Sequence, residues 1–237
     1  MNKFLILVFL VVCFESISQN LTAEQVLDKS IAYHDPQNRW ESFNDSLLIH
    51  LKMPNGSQRM SKVKIDILNE YFSLLVNKDN DTILYELHKN KCKLSINNNE
   101  NLSDSLKQKY NLNCKRAKMY KNYYTYLYGL PMKLKDEGTI ISPKIETKTL
   151  NSKSYLTLKV NYKENVGSDV WYFYFNPKTY ALEAYQFFKD ESKNDGEYIL
   201  LSDIETISGI KMPKYRKWIT NKEDKYLGTD VLLDYKR

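Results

Sequence analysis

The sequence predicts an α+β fold: an antiparallel sheet with a helix at its N-terminal end and a helical insertion in its middle. Three observations carry this. Apolar residues recur at helical spacing from Leu21 to Tyr33, then switch to strand-like alternation after Pro36. Short alternating runs separated by turn residues fill both halves of the chain, five before residue 97 and seven after residue 143. Between the two sets, Tyr110 to Asp136 reads as an amphipathic helix.

The chain opens with Met1-Asn2-Lys3, an apolar run from Phe4 to Phe14, and the small residues Ser16 and Ser18. One positive charge, an apolar segment and small residues before Gln19 predict a signal peptide over residues 1–18, cleaved on export. The run is too short to cross a bilayer as a helix. Lipid attachment at Cys13 is the other use of such a leader, but Val11-Val12 puts no small residue in front of that cysteine. Removing residues 1–18 takes away Lys3 and Glu15, so the net charge of +6 is unchanged. Residues 19–237 show no repeat and no Pro/Gly-rich linker, and read as one domain. A chain of that length buries roughly 70% of its unfolded surface and needs no staples to hold a core. Tyrosine is the compositional outlier, at 19 against 7 Gly and 6 Pro, which favours strands and amphipathic surfaces over disorder.

Thr22 and Gln25 form a capping-box pair that opens the first helix, and Pro36 ends it by forcing Asp35 out of the helical region. Strands are expected at Phe43 to Met53, Gln58 to Leu68, Tyr71 to Asn77, Thr82 to Leu87 and Lys91 to Ile96. Tight links between them imply an antiparallel meander. Ser103 caps a short helix through Tyr110. The second meander is expected at Lys144 to Leu150, Lys153 to Lys163, Asp169 to Phe175, Ala181 to Lys189, Gly196 to Ile207, Ile210 to Asn221 and Tyr226 to Tyr235. Asn176-Pro177-Lys178-Thr179 has the residues of a type I turn, and Ser208-Gly209 is a two-residue hairpin signal.

The tyrosine-rich helix ends at Gly129-Leu130-Pro131. At 100° per residue, Tyr126, Met119, Tyr123, Leu127, Tyr120 and Tyr124 fall in one arc, with Lys121, Thr125, Lys118, Asn122 and Lys115 opposite. Arg116 is the one basic residue inside the apolar arc. Cys92 and Cys114 remain after processing, and in an oxidising compartment a disulfide is the economical reading. It closes a loop of about 22 residues and contributes on the order of 3 kcal/mol. Two buried free thiols are the alternative.

The order of elements, with the N-P-K-T turn at Asn176 and the G-I-K-M-P segment at Gly209, resembles the lipoprotein-carrier fold typified by LolA and LolB. That resemblance implies a strongly curved antiparallel sheet, an incomplete β-barrel, whose concave face is covered by the N-terminal helix and the central insertion. It extends over nearly all of residues 20–236 and is one of architecture. The dense tyrosine content departs from the carriers, and no segment matches an acyl-transfer motif. Tyr33-His34-Asp35-Pro36 with Trp40, Arg116-Ala117-Lys118-Met119-Tyr120, Tyr128-Gly129-Leu130-Pro131-Met132 and the segment from Asp190 to Tyr198 are similar to those of a family of exported Bacteroidota proteins of unknown function. Membership implies an envelope location.

Chemistry is sparse. The three histidines show neither HxxxH nor HExxH spacing, and there is no G-x-S-x-G, phosphate-cradling glycine loop or C-x-x-C. No cofactor or metal is expected. His34 beside Asp35 is the one candidate base with an orienting acid, for a hydrolase, but a helix-ending cap explains both residues. The loop Asp190 to Gly196 lacks the alternating oxygen spacing of a calcium loop and contains Lys193. Basic and acidic residues are interleaved, which disfavours nucleic acid. A cluster of Lys107, Lys109, Lys115, Arg116, Lys118, Lys121, Lys133 and Lys135 surrounds the tyrosine-rich helix, which could dock on an anionic membrane or on a lipid-bearing partner. The alternative is that the tyrosines are core and the lysines solvated.

The expectation is therefore a non-catalytic envelope protein that binds a lipid, an acyl chain or a lipoprotein in the periplasm or outer envelope. Candidate cavity or mouth residues are Trp40, Met119, Tyr123, Tyr124, Leu127 and Trp171. An envelope scaffold with a filled core is the second reading.

Overall fold

The computed structural model describes residues 21–78 and 80–234. The expected leader, with Cys13, lies outside the described residues. Helix α1 (Ala23–His34) begins with the expected reciprocal cap, Gln25 N–H donating to Thr22 Oγ1 at 3.2 Å and Thr22 N–H to Gln25 Oε1 at 2.9 Å. Its buried face is Ala23, Val26, Leu27, Ser30 and His34, spaced by threes and fours.

The first meander comprises β1 (Asn44–Lys52), β2 (Gln58–Asp66), β3 (Tyr71–Lys78), β4 (Asp81–His88) and β5 (Lys91–Ile96). Then come helices α2 (Asp104–Tyr110) and α3 (Cys114–Tyr128), followed by a 3-10 turn at Met132–Lys135. The second meander is β6 (Thr139–Leu150), β7 (Lys153–Tyr162), β8 (Val170–Phe175), β9 (Leu182–Phe188), β10 (Glu197–Ile207), β11 (Ile210–Thr220) and β12 (Tyr226–Leu233). Turn chemistry follows the residues: Asn176 Oδ1 accepts from Lys178 and Thr179 N–H, and Ser208 and Gly209 both take positive φ, as a type I′ hairpin turn needs.

All strand pairs are antiparallel, and the sheet runs β5-β4-β3-β2-β1-β12-β11-β10-β9-β8-β7-β6. The two meanders are thus joined through β1 and β12, while β5 and β6 are opposite free edges. The segment linking those edges has to cross the whole sheet, and it is the segment that carries α2 and α3.

Contacts of α3 show how far the sheet curls. Tyr120 packs edge-on against Tyr85 of β4 at 5.1 Å, and Tyr126 packs against Tyr162 of β7 at 6.2 Å. Those strands are nine steps apart in the sheet, about 43 Å if it were flat. The two tyrosines are separated by only about 9 Å along the helix. One helix can touch both only if the sheet wraps around it. The result is a curved, unclosed sheet with α3 inside and α1 packed on β6 and β11. Cys92 of β5 is bonded to Cys114, the first residue of α3, which ties the helix to the sheet edge. Among the described residues no helix is long and apolar enough to cross a membrane.

Candidate ligand-binding grooves beside helix α3

The centre of α3 is packed. Ala117, Tyr124, Leu127 and Tyr128 are buried, and Tyr124 stacks on Phe72 of β3. This buried face is turned from the arc expected from sequence toward Ala117, whose small side chain permits close approach, and Tyr128. Met119 and Tyr123 consequently end 50% and 42% exposed. The short helix expected to end at Tyr110 does end there, where Asn111 takes the left-handed conformation, and the tyrosine-rich helix starts at Cys114 rather than Tyr110, with Asn113 capping it by accepting from Arg116 N–H at 2.8 Å.

Open space lies along the flanks of the helix. One groove, of about 660 Å³, runs between β2–β4 and the α2–α3 pair. Leu74 and Ile83 are its buried aliphatic floor, with Met60 and Val76 beside them. Tyr85, Tyr110, Tyr120 and Tyr124 wall it, Arg59, Lys78 and Arg116 also line it, and Met53, Ser57, Gln58 and Asn77 complete the lining. Arg116 donates from Nε to the Tyr120 hydroxyl at 3.1 Å and lies over that ring. A smaller hollow of about 200 Å³ shares Met53, Arg59 and Tyr124 with it and adds Tyr123, Trp218, Glu197 and Asp230. On the other flank, one hollow of about 600 Å³ holds Tyr126, Tyr162 and Trp171, and another of about 390 Å³ holds Trp40 and Phe72. Lys121, Thr125, Lys133 and Asp136 line both.

Under the smaller hollow, charged residues occupy the inward-facing register of the sheet. Arg216 of β11 is opposite Asp230 of β12. Its guanidinium stacks on the Tyr128 ring at 3.9 Å and donates to the Pro213 carbonyl at 2.8 Å. Asp230 accepts from Trp218 Nε1 at 2.9 Å. Burial pushes the Asp230 carboxyl above its ordinary value, against the pull of the Trp218 hydrogen bond and the Arg216 and Arg59 charges. Burial likewise holds the Tyr128 and Tyr185 phenols well up, so both are neutral at physiological pH.

The residues that sequence offered for catalysis are structural. Both ring nitrogens of buried His34 are taken by backbone: Nδ1 donates to the Lys211 carbonyl at 2.6 Å, and Nε2 accepts from Leu182 N–H at 2.9 Å. Asp35 accepts from Arg39 and Trp40 N–H at 2.8 Å each, where the chain enters the 3-10 turn Trp40–Ser42. A hydrolase built on this pair has no free base. In the acidic loop, Asp195 Oδ1 accepts from the N–H groups of Lys189 and Asp190, and Asp190 caps the short 3-10 helix Glu191–Lys193. Among the described residues no three His, Cys, Asp or Glu side chains gather as metal ligands would.

Of the six residues named from sequence, Tyr123 and Tyr124 border the same hollow, Trp40 and Trp171 belong to two others, Leu127 sits in the core and Met119 points to the surface. The basic cluster is partly consumed internally: Lys135 pairs with Glu24 and Asp28 of α1, Lys133 with Asp136, and Lys107 with Asp104. Arg59 and Arg216 escaped the sequence reading. The signal was there: each falls in phase with buried neighbours of its strand, Ser61, Val63 and Ile65 for Arg59, Ile210 and Met212 for Arg216.

The chain belongs to a family of unknown function, DUF6503, whose profile matches residues 2–235. No curated protein matches it. Among solved structures it is similar to a DUF1329 family protein from Desulfovibrio piger, with 10% identity, a TM-score of 0.51, and coverage of 89% of this chain and 91% of that one. It is also similar to a LolA superfamily protein from Nitrosomonas europaea, with 11% identity, a TM-score of 0.49, and coverage of 91% and 93%. At such identities the likeness concerns the fold alone.

Proposed function

We propose that this DUF6503 protein is an exported, non-catalytic binding protein of the cell envelope, working in the periplasm or outer envelope on a lipid, an acyl chain or a lipoprotein. The observation that carries this is the groove of about 660 Å³ between α3 and β2–β4, with its aliphatic floor and tyrosine walls. Its volume falls in the range of about 300–1,000 Å³ usual for small-ligand sites, and such a lining favours an apolar ligand with a polar end. Export rests on the leader at residues 1–18. The non-catalytic reading is supported by the engagement of both His34 nitrogens with backbone. Lys115, Lys118 and Lys121 of α3 form no ion pair among the described residues, which leaves peripheral contact with an anionic membrane open to such a carrier, and nothing in the charge pattern favours nucleic acid.

Native mass spectrometry of protein purified without detergent, followed by organic extraction, tests this. A co-purified apolar molecule is expected, and Val76→Trp, which fills the groove, should release it. A protein that comes off empty and leaves a neutral apolar dye at background fluorescence would overturn the reading. One observation favours the second reading, an envelope scaffold: Tyr124, Leu127 and Tyr128 fill the space at the centre of α3. That makes the helix a plug along its middle and confines any ligand to its flank.

A further inference from the structure

Resting on the binding reading above, we propose that the groove selects a single-chain amphiphile with an anionic headgroup, specifically a long-chain carboxylate. Its alkyl chain would lie over Leu74, Val76 and Ile83, with its headgroup at Arg116 and Lys78. Charge complementarity carries the choice. Arg59, Lys78 and Arg116 line this groove, and none of the described residues lining it is acidic. A chain laid along the apolar floor would take water from these cations, a cost that an anionic headgroup offsets and a neutral one does not.

The three cations are not equivalent. Arg59 is shared with the smaller hollow, where Asp230 faces it. Arg116 forms no ion pair among the described residues; its guanidinium is steadied by Tyr120, through the 3.1 Å hydrogen bond and by lying 5.3 Å from the ring centroid. Lys78 lies 5.7 Å from the centroid of Tyr110. A guanidinium and an ammonium, both backed by aromatic rings at the margin of an aliphatic strip, match one carboxylate on one chain. Arg116 offers the planar fork that a carboxylate accepts in a bidentate manner, and Lys78 adds a point charge. A neutral chain of equal length would bury the same apolar surface and leave both cations unanswered.

Isothermal titration of the protein with dodecanoate, dodecanol and dodecyltrimethylammonium, each below its micellar concentration, tests this. Dodecanoate should bind more tightly than dodecanol by about 10- to 100-fold, the worth of one charge-assisted hydrogen-bonded pair. Arg116→Gln and, separately, Lys78→Gln should reduce that preference, weakening dodecanoate by more than dodecanol, and Arg116→Lys should restore part of it. Lys78 is exposed and near a strand end, so its variant tests the idea even if Arg116→Gln disturbs α3. Equal affinity for dodecanoate and dodecanol, both lost in Val76→Trp, would overturn the anion selectivity and leave the groove reading intact. Dodecanoate binding that survives Val76→Trp would place the anion elsewhere and overturn this inference. No binding of any of the three would remove the inference and the groove reading together.

Discussion

Acidification should loosen the joint between α1 and the sheet, because His34 is its pin. The ring is fully buried and is a neutral tautomer with the proton on Nδ1, since Nε2 must accept from Leu182 N–H. A second proton would meet that N–H donor head-on. Burial, set against the Lys211 carbonyl and aided by the Lys211 and Arg216 charges, lowers the folded-state pKa from its ordinary 6.5 to about 4. Between those values the unfolded chain binds a proton that the folded chain refuses, so this contribution is complete above the unfolded pKa and is lost as pH falls toward the folded one. The slope reaches about 1.4 kcal/mol per pH unit and the total is roughly 3 kcal/mol. Urea unfolding from neutral pH down to about pH 4 reads it, with His34→Phe as the reference. At neutral pH that variant should be less stable by about 2–5 kcal/mol, because it keeps a ring and strands the Lys211 carbonyl and Leu182 N–H. The gap between the two proteins should shrink by roughly 3 kcal/mol across the titration, since carboxylates elsewhere act equally on both. A gap that stays constant with pH would refute the reasoning.

Three further outcomes follow from the packing. Replacing Cys92 and Cys114 by Ser should lower stability by about 3 kcal/mol under oxidising conditions, and reductant should bring the parent protein to the same urea midpoint; equal midpoints without reductant would show that the bond does not constrain the chain. Gly129→Ala places a methyl group 2.3 Å from Trp40 Cζ2, so it should cost about 1–3 kcal/mol and shift tryptophan emission as that ring is displaced; an unchanged spectrum and midpoint would mean the contact relaxes freely. Arg216→Met keeps the volume but removes the stacking on Tyr128 and the bond to Pro213, and should destabilise by about 2–4 kcal/mol in urea unfolding. A midpoint equal to the parent would take the guanidinium out of the account of core stability.

Local features of the chain were legible in the sequence. The strand Lys91–Ile96 has the boundaries that alternation and flanking turn residues predict, and the Thr22–Gln25 cap and the Ser208–Gly209 turn form as their side chains require. The one strand start displaced by more than a residue has a local cause. β6 begins at Thr139 rather than Lys144 because it bulges between Ile141 and Ile145 around Pro143, which an edge strand tolerates and an alternation pattern hides. The central helix was misjudged in orientation for a different reason: its sequence has apolar residues on more than one side, and only the surrounding sheet decides which of them are buried.

By itself, then, the sequence determined the elements, their antiparallel order and the place of the helical insertion. These depend on periodicity, caps and turns read over a few residues. Only the tertiary structure decided that Leu127 is core while Tyr123 is rim, that Trp40 and Trp171 border separate hollows, and that Arg59, Lys78 and Arg116 share one groove. The lining of a void is set by strands far apart in the chain, brought around one helix by the accumulated curl of twelve strands, and no short stretch of sequence carries that sum.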